Sequence, residues 1–478
     1  MSLGDRIWRS LFVALAVGLG WGIRGDFGHL VGAMYPGAAL AMAFAFVSGQ
    51  RSLFLWMPVL AGLSALGIGL GGQMSYGILH GYAQSDTLIN YSYGFLTLFL
   101  QGSAWGTFGG ALIGLVLERK PMRTGDWLGY LGSIFIAGWI TYYLVVIVIG
   151  FDINPPRNNT SIAFFGAAIG QIVWLAWNKK LTGLRGAFFG YIGFGLGMSV
   201  GRMLGNIAND FQATGMTINH WNVMETSCGF IAGFIYCFGM VNHTYPKPPE
   251  DEGIEFVSFL GMFYTLGLLP LWHRVGRFTT SEKLAEWTAS FKSYGYSDPG
   301  AMAKNVLMML DGICVLGFVG VAIWLYIHKK RLQKYAAFPV LWLSGTMLLY
   351  QNTHALYFFY PSNWHRVNMH GVFWVFFLLM VVYVIVNRPH PGAPGLAASE
   401  EPAVEGPNVP TLDSRVPWIG WILGTVGVFG LVILLSGIIN GERTMKAANT
   451  RWPLWTWSSG PFPGRQAATE AGTRSGKP

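Results

Sequence analysis

Gly20-Trp-Gly-Ile-Arg24-Gly-Asp26-Phe-Gly-His29 sets a cation, an anion and an imidazole among glycines within ten residues. A guanidinium presents a fixed fork of donors that matches a carboxylate or phosphate, and an imidazole changes charge near neutral pH. The string therefore predicts an anion or substrate site, with Arg24 as donor and Asp26 or His29 handling a proton. Its glycines hold a regular helix poorly. A broken or re-entrant backbone is expected, of the kind tolerated only inside protein or beside water. The plainer alternative is a tight turn tied by an Arg24–Asp26 pair.

A second polar set follows. Arg202 and Asn206 are one helical turn apart on one face, Asn209 and Asp210 come next, and Glu225 opens the following apolar run. Arg202 is expected to pair with Glu225 or Asp26, either as a tie between hairpins or as a bond remade during transport. Further along, Gln351, Asn352 and His354 form a polar step, Asn368 and His370 begin the next run, and Asp311 is the matching acid in the tenth span. Ionisable groups at membrane depth are costly and by default suggest function. The candidate solute-contacting residues are Arg24, Asp26, His29, His80, Arg202, Asn206, Glu225, Asn352, His354 and His370.

Other chemistries lack their signatures. There is no phosphate-binding P-loop, dinucleotide fingerprint or nucleophile elbow, and no HxxxH or HExxH. His365 and His370 are five apart, a poor spacing for two ligands on one helix. The three cysteines, Cys228, Cys237 and Cys314, form no CxxC pair. No cofactor, metal or catalytic residue is assigned.

These residues must be positioned inside a membrane. Only 11% of the 478 residues are charged, where a soluble protein carries roughly a quarter, while 52% are hydrophobic. That balance excludes a soluble enzyme, a disordered scaffold and a nucleic-acid binder despite a net charge of +9. The 65 glycines and the 15% share of aromatic residues suit close helix packing and interfacial rings. The composition predicts an all-α, polytopic transmembrane helical bundle of about 13 spans, centred near residues 16, 40, 64, 103, 137, 168, 195, 231, 262, 316, 346, 377 and 428. Continuous apolar runs exclude barrel strands, which alternate with period two. The run after Arg9 shows no small-residue cleavage site, so the first helix is expected to stay.

Lys and Arg orient the bundle. With a cytoplasmic N-terminus, the inner loops hold Arg6, Arg9, Arg51, Arg119, Lys120, Arg123, Lys179, Lys180, Arg185, Lys247, Lys329, Lys330, Arg331, Lys334, Arg388 and Arg415. The short outer loops hold Arg24, Arg157 and Arg366. The expected location is the plasma (inner) membrane, with the C-terminus extracytoplasmic. On this topology seven of the ten histidines lie on the outer side, among them His29, His80, His354 and His370.

Two patterns alternate along the first half. Gly18-Leu-Gly20, Gly69-Leu-Gly71 and Gly195-Leu-Gly197 are each followed nine residues on by His29, His80 or Asn206. The intervening spans carry Pro36-Gly-Ala-Ala-Leu, Phe108-Gly-Gly-Ala-Leu, Phe165-Gly-Ala-Ala-Ile and, more loosely, Cys228-Gly-Phe-Ile-Ala-Gly. This predicts parallel Gly-rich helical-hairpin repeats across a unit spanning residues 1–248. A four-helix unit over 249–388 follows, with a short amphipathic helix near 280–295 lying on the outer membrane surface. Residues 389–416 read as a flexible cytoplasmic linker, 417–440 as a last helix and 441–478 as a partly disordered tail. The tail's Arg451-Trp-Pro-Leu-Trp-Thr-Trp457 is suited to docking a protein partner or anchoring at the interface.

In span number the chain resembles the major facilitator superfamily, but Ser48-Gly-Gln-Arg51-Ser lacks that family's charged signature. The leading expectation is an ion-coupled transporter of a polar or anionic small solute, with discontinuous helices at Arg24–His29 and Arg202–Asp210 binding the solute, Glu225 or Asp26 coupling a proton, and membrane lipids as its other partner. The alternatives are a membrane-embedded enzyme using His29, His354 or His370 with Asp26 or Asp311 on a lipid or periplasmic substrate, and a structural subunit of a membrane complex.

Overall fold

In lipid no hydrophobic force draws one helix to another, so association rests on van der Waals packing of small residues and on buried polar bonds. The computed structural model of the chain shows both. It describes residues 1–72, 76–153, 159–216, 218–246, 248, 252–278, 281–328, 337–358, 370–387 and 418–440. Among these no strand occurs. The helices are α1 (Leu3–Arg24), α2 (Leu30–Ser48), α3 (Arg51–Gly71), α4 (Gly77–Tyr82), α5 (Leu88–Val116), α6 (Thr124–Tyr142), α7 (Thr160–Trp177), α8 (Leu181–Ala213) and α9 (His220–Met240). They continue with α10 (Glu252–Met262), α11 (Leu269–Phe278), α12 (Ser281–Ser293), α13 (Pro299–His328), α14 (Phe338–Tyr357), α15 (Gly371–Val386) and α16 (Trp418–Asn440).

Among the described residues ten helices are long and apolar enough to cross a membrane. The expected centres at 103, 346 and 377 fall on α5, α14 and α15, which lie outside that set. Gln101, Ser103 and Thr107 make α5 less apolar, and α15 has only 16 residues. The linker at 389–416 and the tail at 441–478 lie outside the described residues, as do His365 and Asn368.

Six helices close into a ring in the order α1, α2, α3, α5, α8, α9 and back to α1. Every neighbour is antiparallel. Along α5 and α8 the pairs run Gly102 with Phe194, Gly106 with Gly190, Gly110 with Gly186 and Gly114 with Thr182. At each, a methyl on the α5 glycine would fall on the partner's carbonyl oxygen. Four glycines at four-residue spacing thus let two backbones touch along four turns. The closing seam is built alike, with Gly229 of α9 against the Val17 carbonyl and Gly233 against that of Val13.

The three Gly-Leu-Gly segments obey one rule. On α1, Gly18 faces α9 and Gly20 faces α2; on α3, Gly69 faces α2 and Gly71 faces α5; on α8, Gly195 faces α5 and Gly197 faces α9. The first glycine meets the preceding helix of the ring and the second meets the following one. Aromatic rings fill the middle: Trp21 lies 4.9 Å from Trp105 and 5.3 Å from Phe194, and Phe44 lies 6.1 Å from Tyr236. All five are buried.

The remaining helices surround the ring. The α6–α7 hairpin, inserted between α5 and α8, touches them through α7, and Tyr130 donates to Gln171 Oε1 at 2.6 Å within it. α10 lies on α3, then passes through a wider turn at Phe263–Leu268 into α11. The amphipathic helix near 280–295 is α12. Its Trp287 and Phe291 are buried against α13 and Phe358, so that face is covered by protein. α14 and α15 lean on α1, with Phe373 against Gly22 and Phe376 against Gly18. α16 packs on α8 and α5.

Candidate functional site

α1 runs regularly to Arg24, and the chain then turns through a short tight helix, Gly25–Phe27. Gly28, at φ 89°, takes a left-handed conformation that glycine adopts without the clash a Cβ brings, and α2 can then start at Leu30. The other expected discontinuity does not occur. α8 is unbroken from Leu181 to Ala213, so Arg202, Asn206, Asn209 and Asp210 sit on regular helix. Its neighbours α5 and α9 support it through backbone contacts, which offsets the weak helix propensity of its glycines. The break in regular helix falls instead between α3 and α5, where the short α4 carries His80.

Arg24 is the centre of the site. Its side chain is wholly buried, with the guanidinium carbon 4.8 Å from the ring of Trp21, 5.1 Å from that of Trp105 and 5.2 Å from that of Tyr76. Such a cage favours a cation by about 0.5–2 kcal/mol per face. Arg24 Nη2 donates to Glu225 Oε1 at 2.9 Å and to the Tyr76 hydroxyl, which donates onward to the same Oε1 at 3.1 Å. Arg24 Nε and Nη1 have no hydrogen-bond partner, nor do the indole nitrogens of Trp21 and Trp105 or the hydroxyl of Thr226, all buried. A buried donor left unmade costs about 1–3 kcal/mol, more on a charged group. The site is therefore rich in donors suited to an electron-rich ligand.

The expectation that Arg202 takes Glu225 or Asp26 is corrected at the carboxylates. Glu225 goes to Arg24, because α9 closes the ring onto α1, and Asp26 accepts from Gln351 of α14. Arg202 donates through Nε at 2.8 Å, and through Nη2, to Oδ1 of Asn206 on its own helix. The Trp221 ring lies 5.7 Å from its guanidinium. Asn206 Nδ2 bonds the Ala83 carbonyl at 3.1 Å and Asn440 Oδ1 at 3.0 Å.

His80 lies between the two arginines, within electrostatic reach of both. Its ring meets Tyr76 at 5.0 Å and Trp221 at 5.4 Å, and neither ring nitrogen has a hydrogen-bond partner. His29 is exposed and stands edge-on to Tyr76 at 5.2 Å. Arg24, Glu225, His80, Arg202 and Asn206 thus gather at one end of the ring, with Asp26 and His29 at its rim.

The remaining candidates are peripheral. His370 is half-buried beside Phe373 and within electrostatic reach of Asp26. Asn352 is buried and donates to the Leu348 carbonyl of its own helix at 2.9 Å. His354 belongs to a different cluster, with Nε2 2.9 Å from Ser290 Oγ and Nδ1 3.7 Å from Glu286 Oε1. Among the described residues no three His, Cys, Asp or Glu side chains stand together as a metal site would need.

Sequence reasoning missed Tyr76, Trp21, Trp105, Trp221 and Asn440. Trp21 had a signal, one turn before Arg24 and so on its face. Tyr76 also had one, just past the second Gly-Leu-Gly segment. Asn440 had none, since its partners are set by where the last helix lands. No family model, no curated protein and no solved structure matches this chain.

Proposed function

We propose that the chain is a multi-pass transporter of a polar or anionic small solute, ion-coupled, with its binding site at Arg24, at one end of the ring. The observation that carries this reading is a wholly buried guanidinium, caged by aromatic rings, with two nitrogens unbonded. A purely structural arginine would have those donors matched. When a solute displaces Glu225 from Arg24, the carboxylate is left in a poorly solvated place, and a proton taken from solution neutralises it. Solute and proton then move together.

The finer topology belongs to the same proposal. Thirteen crossings, a cytoplasmic N-terminus and a site toward the outer half of a plasma membrane follow from the one-sided Lys and Arg loops. An origin in repeated hairpins is supported by the shared rule of the three Gly-Leu-Gly segments and by His29, His80 and Asn206, which follow them at equal spacing.

The test is access from the two faces. Ala33 and Thr226 are buried, so a thiol placed at either, in protein freed of Cys228, Cys237 and Cys314, is reached only if the ring opens. Labelling by an impermeant reagent from both faces of oriented vesicles, altered by a proton gradient, is expected. Labelling from one face only, insensitive to gradients, overturns the reading.

An enzyme acting on a lipid or periplasmic substrate is the second reading, favoured by the Ser290–His354–Glu286 cluster. It requires Ser290 to react with a fluorophosphonate and His354→Ala to abolish that reaction. Failure of either removes it.

A further inference from the structure

We infer that the solute is a small monocarboxylate, and that Glu225 is the resting occupant of the seat this carboxylate takes on Arg24. The inference rests on the transport reading for its biological meaning but not for its test.

The guanidinium has a fixed, planar shape. Its donors form two forks, one using Nε and Nη2 and the other Nη1 and Nη2, and Nη2 is common to both. That nitrogen is the one held by Glu225 Oε1 and the Tyr76 hydroxyl, while Nε and Nη1 are idle. Neither fork is available for a two-point bond while Glu225 stays. Once it leaves, a carboxylate can take Nη2 together with Nε or Nη1. Glu225 is a one-point ligand in a place built for a two-point one.

The surroundings select the class. Tyr76 donates its hydroxyl to the oxygen on Nη2, so the seat already holds one carboxylate oxygen with two donors. Three rings stand around the guanidinium, at 4.8–5.2 Å from its carbon. A planar carboxylate lies in the plane of the fork. A phosphate or sulfate carries oxygens above and below that plane, which the fork cannot bond, and brings a second negative charge into a poorly solvated place. The indole N–H groups of Trp21 and Trp105 and the Thr226 hydroxyl are further donors in this buried cluster. The dense packing around Gly22, where a methyl would meet Phe373 and Thr226, restricts the size of the rest of the molecule.

The experiment compares the full-length protein and its Glu225→Gln variant in nanodiscs, titrated calorimetrically with acetate, propionate, phosphate and sulfate. Glutamine keeps an oxygen for Arg24 and Tyr76 but loses the competing charge. Acetate and propionate are expected to bind Glu225→Gln about tenfold or more tightly than the parent, because an intramolecular competitor has been weakened. Arg24→Lys, which has no fork, loses the binding. Unchanged carboxylate affinity in a folded Glu225→Gln protein overturns the inference, as does phosphate or sulfate binding as tightly as acetate. If carboxylates bind as expected but the ring never opens to both faces, the inference stands and transport falls. If the ring opens to both faces while Glu225→Gln leaves carboxylate binding unchanged, transport stands and the inference falls.

Discussion

Gly106 and Gly190 approach so closely that a methyl on either would fall on the other's carbonyl oxygen. The α5–α8 seam therefore has no room to yield, because what blocks the methyl is backbone and not a movable side chain. Gly190→Ala is expected to destabilise the protein by about 1–3 kcal/mol, the usual cost of overpacking. Gly320→Ala on α13, where a methyl meets nothing within 4 Å, is expected to be neutral or to stabilise by up to about 1 kcal/mol through helix propensity. Thermal unfolding of the two purified variants checks the contrast, and equal effects would refute it.

The last helix is held by its last residue. Asn440 Nδ2 bonds the carbonyls of Ala83 at 3.0 Å and Ser85 at 2.8 Å, while its Oδ1 accepts from Asn206. Asn440→Ala leaves these buried groups unmade and is expected to cost about 1–3 kcal/mol. In a double-mutant cycle with Asn206→Ala the two losses should not add, since the residues share one network. Additive losses would mean that the contact carries little energy.

Arg24→Gln removes one partner of a buried pair and leaves Glu225 without its cation. The loss is expected to be about 3–5 kcal/mol, with much of it recovered in Arg24→Gln/Glu225→Gln. Unfolding midpoints of the three proteins measure this. Uptake should be absent from the double variant even where its stability returns, because the fork is gone. Retained uptake would place the solute elsewhere.

Glu118 follows α5 and accepts the Gly183 N–H at 2.9 Å. Burial raises its carboxyl above the usual carboxylate range, against the opposing pull of that bond and of Lys180. A carboxyl raised in the folded protein holds its proton longer than in the unfolded chain. Its contribution is thus fully present below the unfolded value and is lost as pH rises through the folded one. Glu118→Gln should raise the unfolding temperature at pH 7–8 and change it little at pH 4. The opposite order would mean that the attraction of the Lys180 charge dominates.

Much of the membrane architecture was legible because composition alone sets it, and Arg24 and Glu225 stood out as charges in apolar runs. Their pairing was not legible. Glu225 is 201 residues from Arg24, and only closure of α9 onto α1 brings them together. In a soluble helix the apolar face shows which side meets the core, but from Leu11 to Ile23 α1 is apolar all round. The direction of each contact is carried by small residues: Gly18 and Gly20 point to different neighbours although they are two positions apart. The glycine string after Gly20 suggested irregular backbone at Arg24, and the irregularity begins just after it. The discontinuity expected over Arg202–Asp210 does not occur, because backbone contacts with α5 and α9 keep α8 regular.

A circle in which each helix runs opposite to both neighbours closes only with an even number, as α1, α2, α3, α5, α8 and α9 do. Parity then governs what the sequence can gain or lose. One extra crossing would force two parallel neighbours somewhere and reverse the direction of everything downstream. Two extra crossings return the chain to the side it left. The α6–α7 hairpin is such an addition: it leaves after α5, turns back, and delivers α8 in the orientation its glycines need to meet Gly106 and Gly110. Between members of the circle, elaboration is therefore confined to pairs of helices.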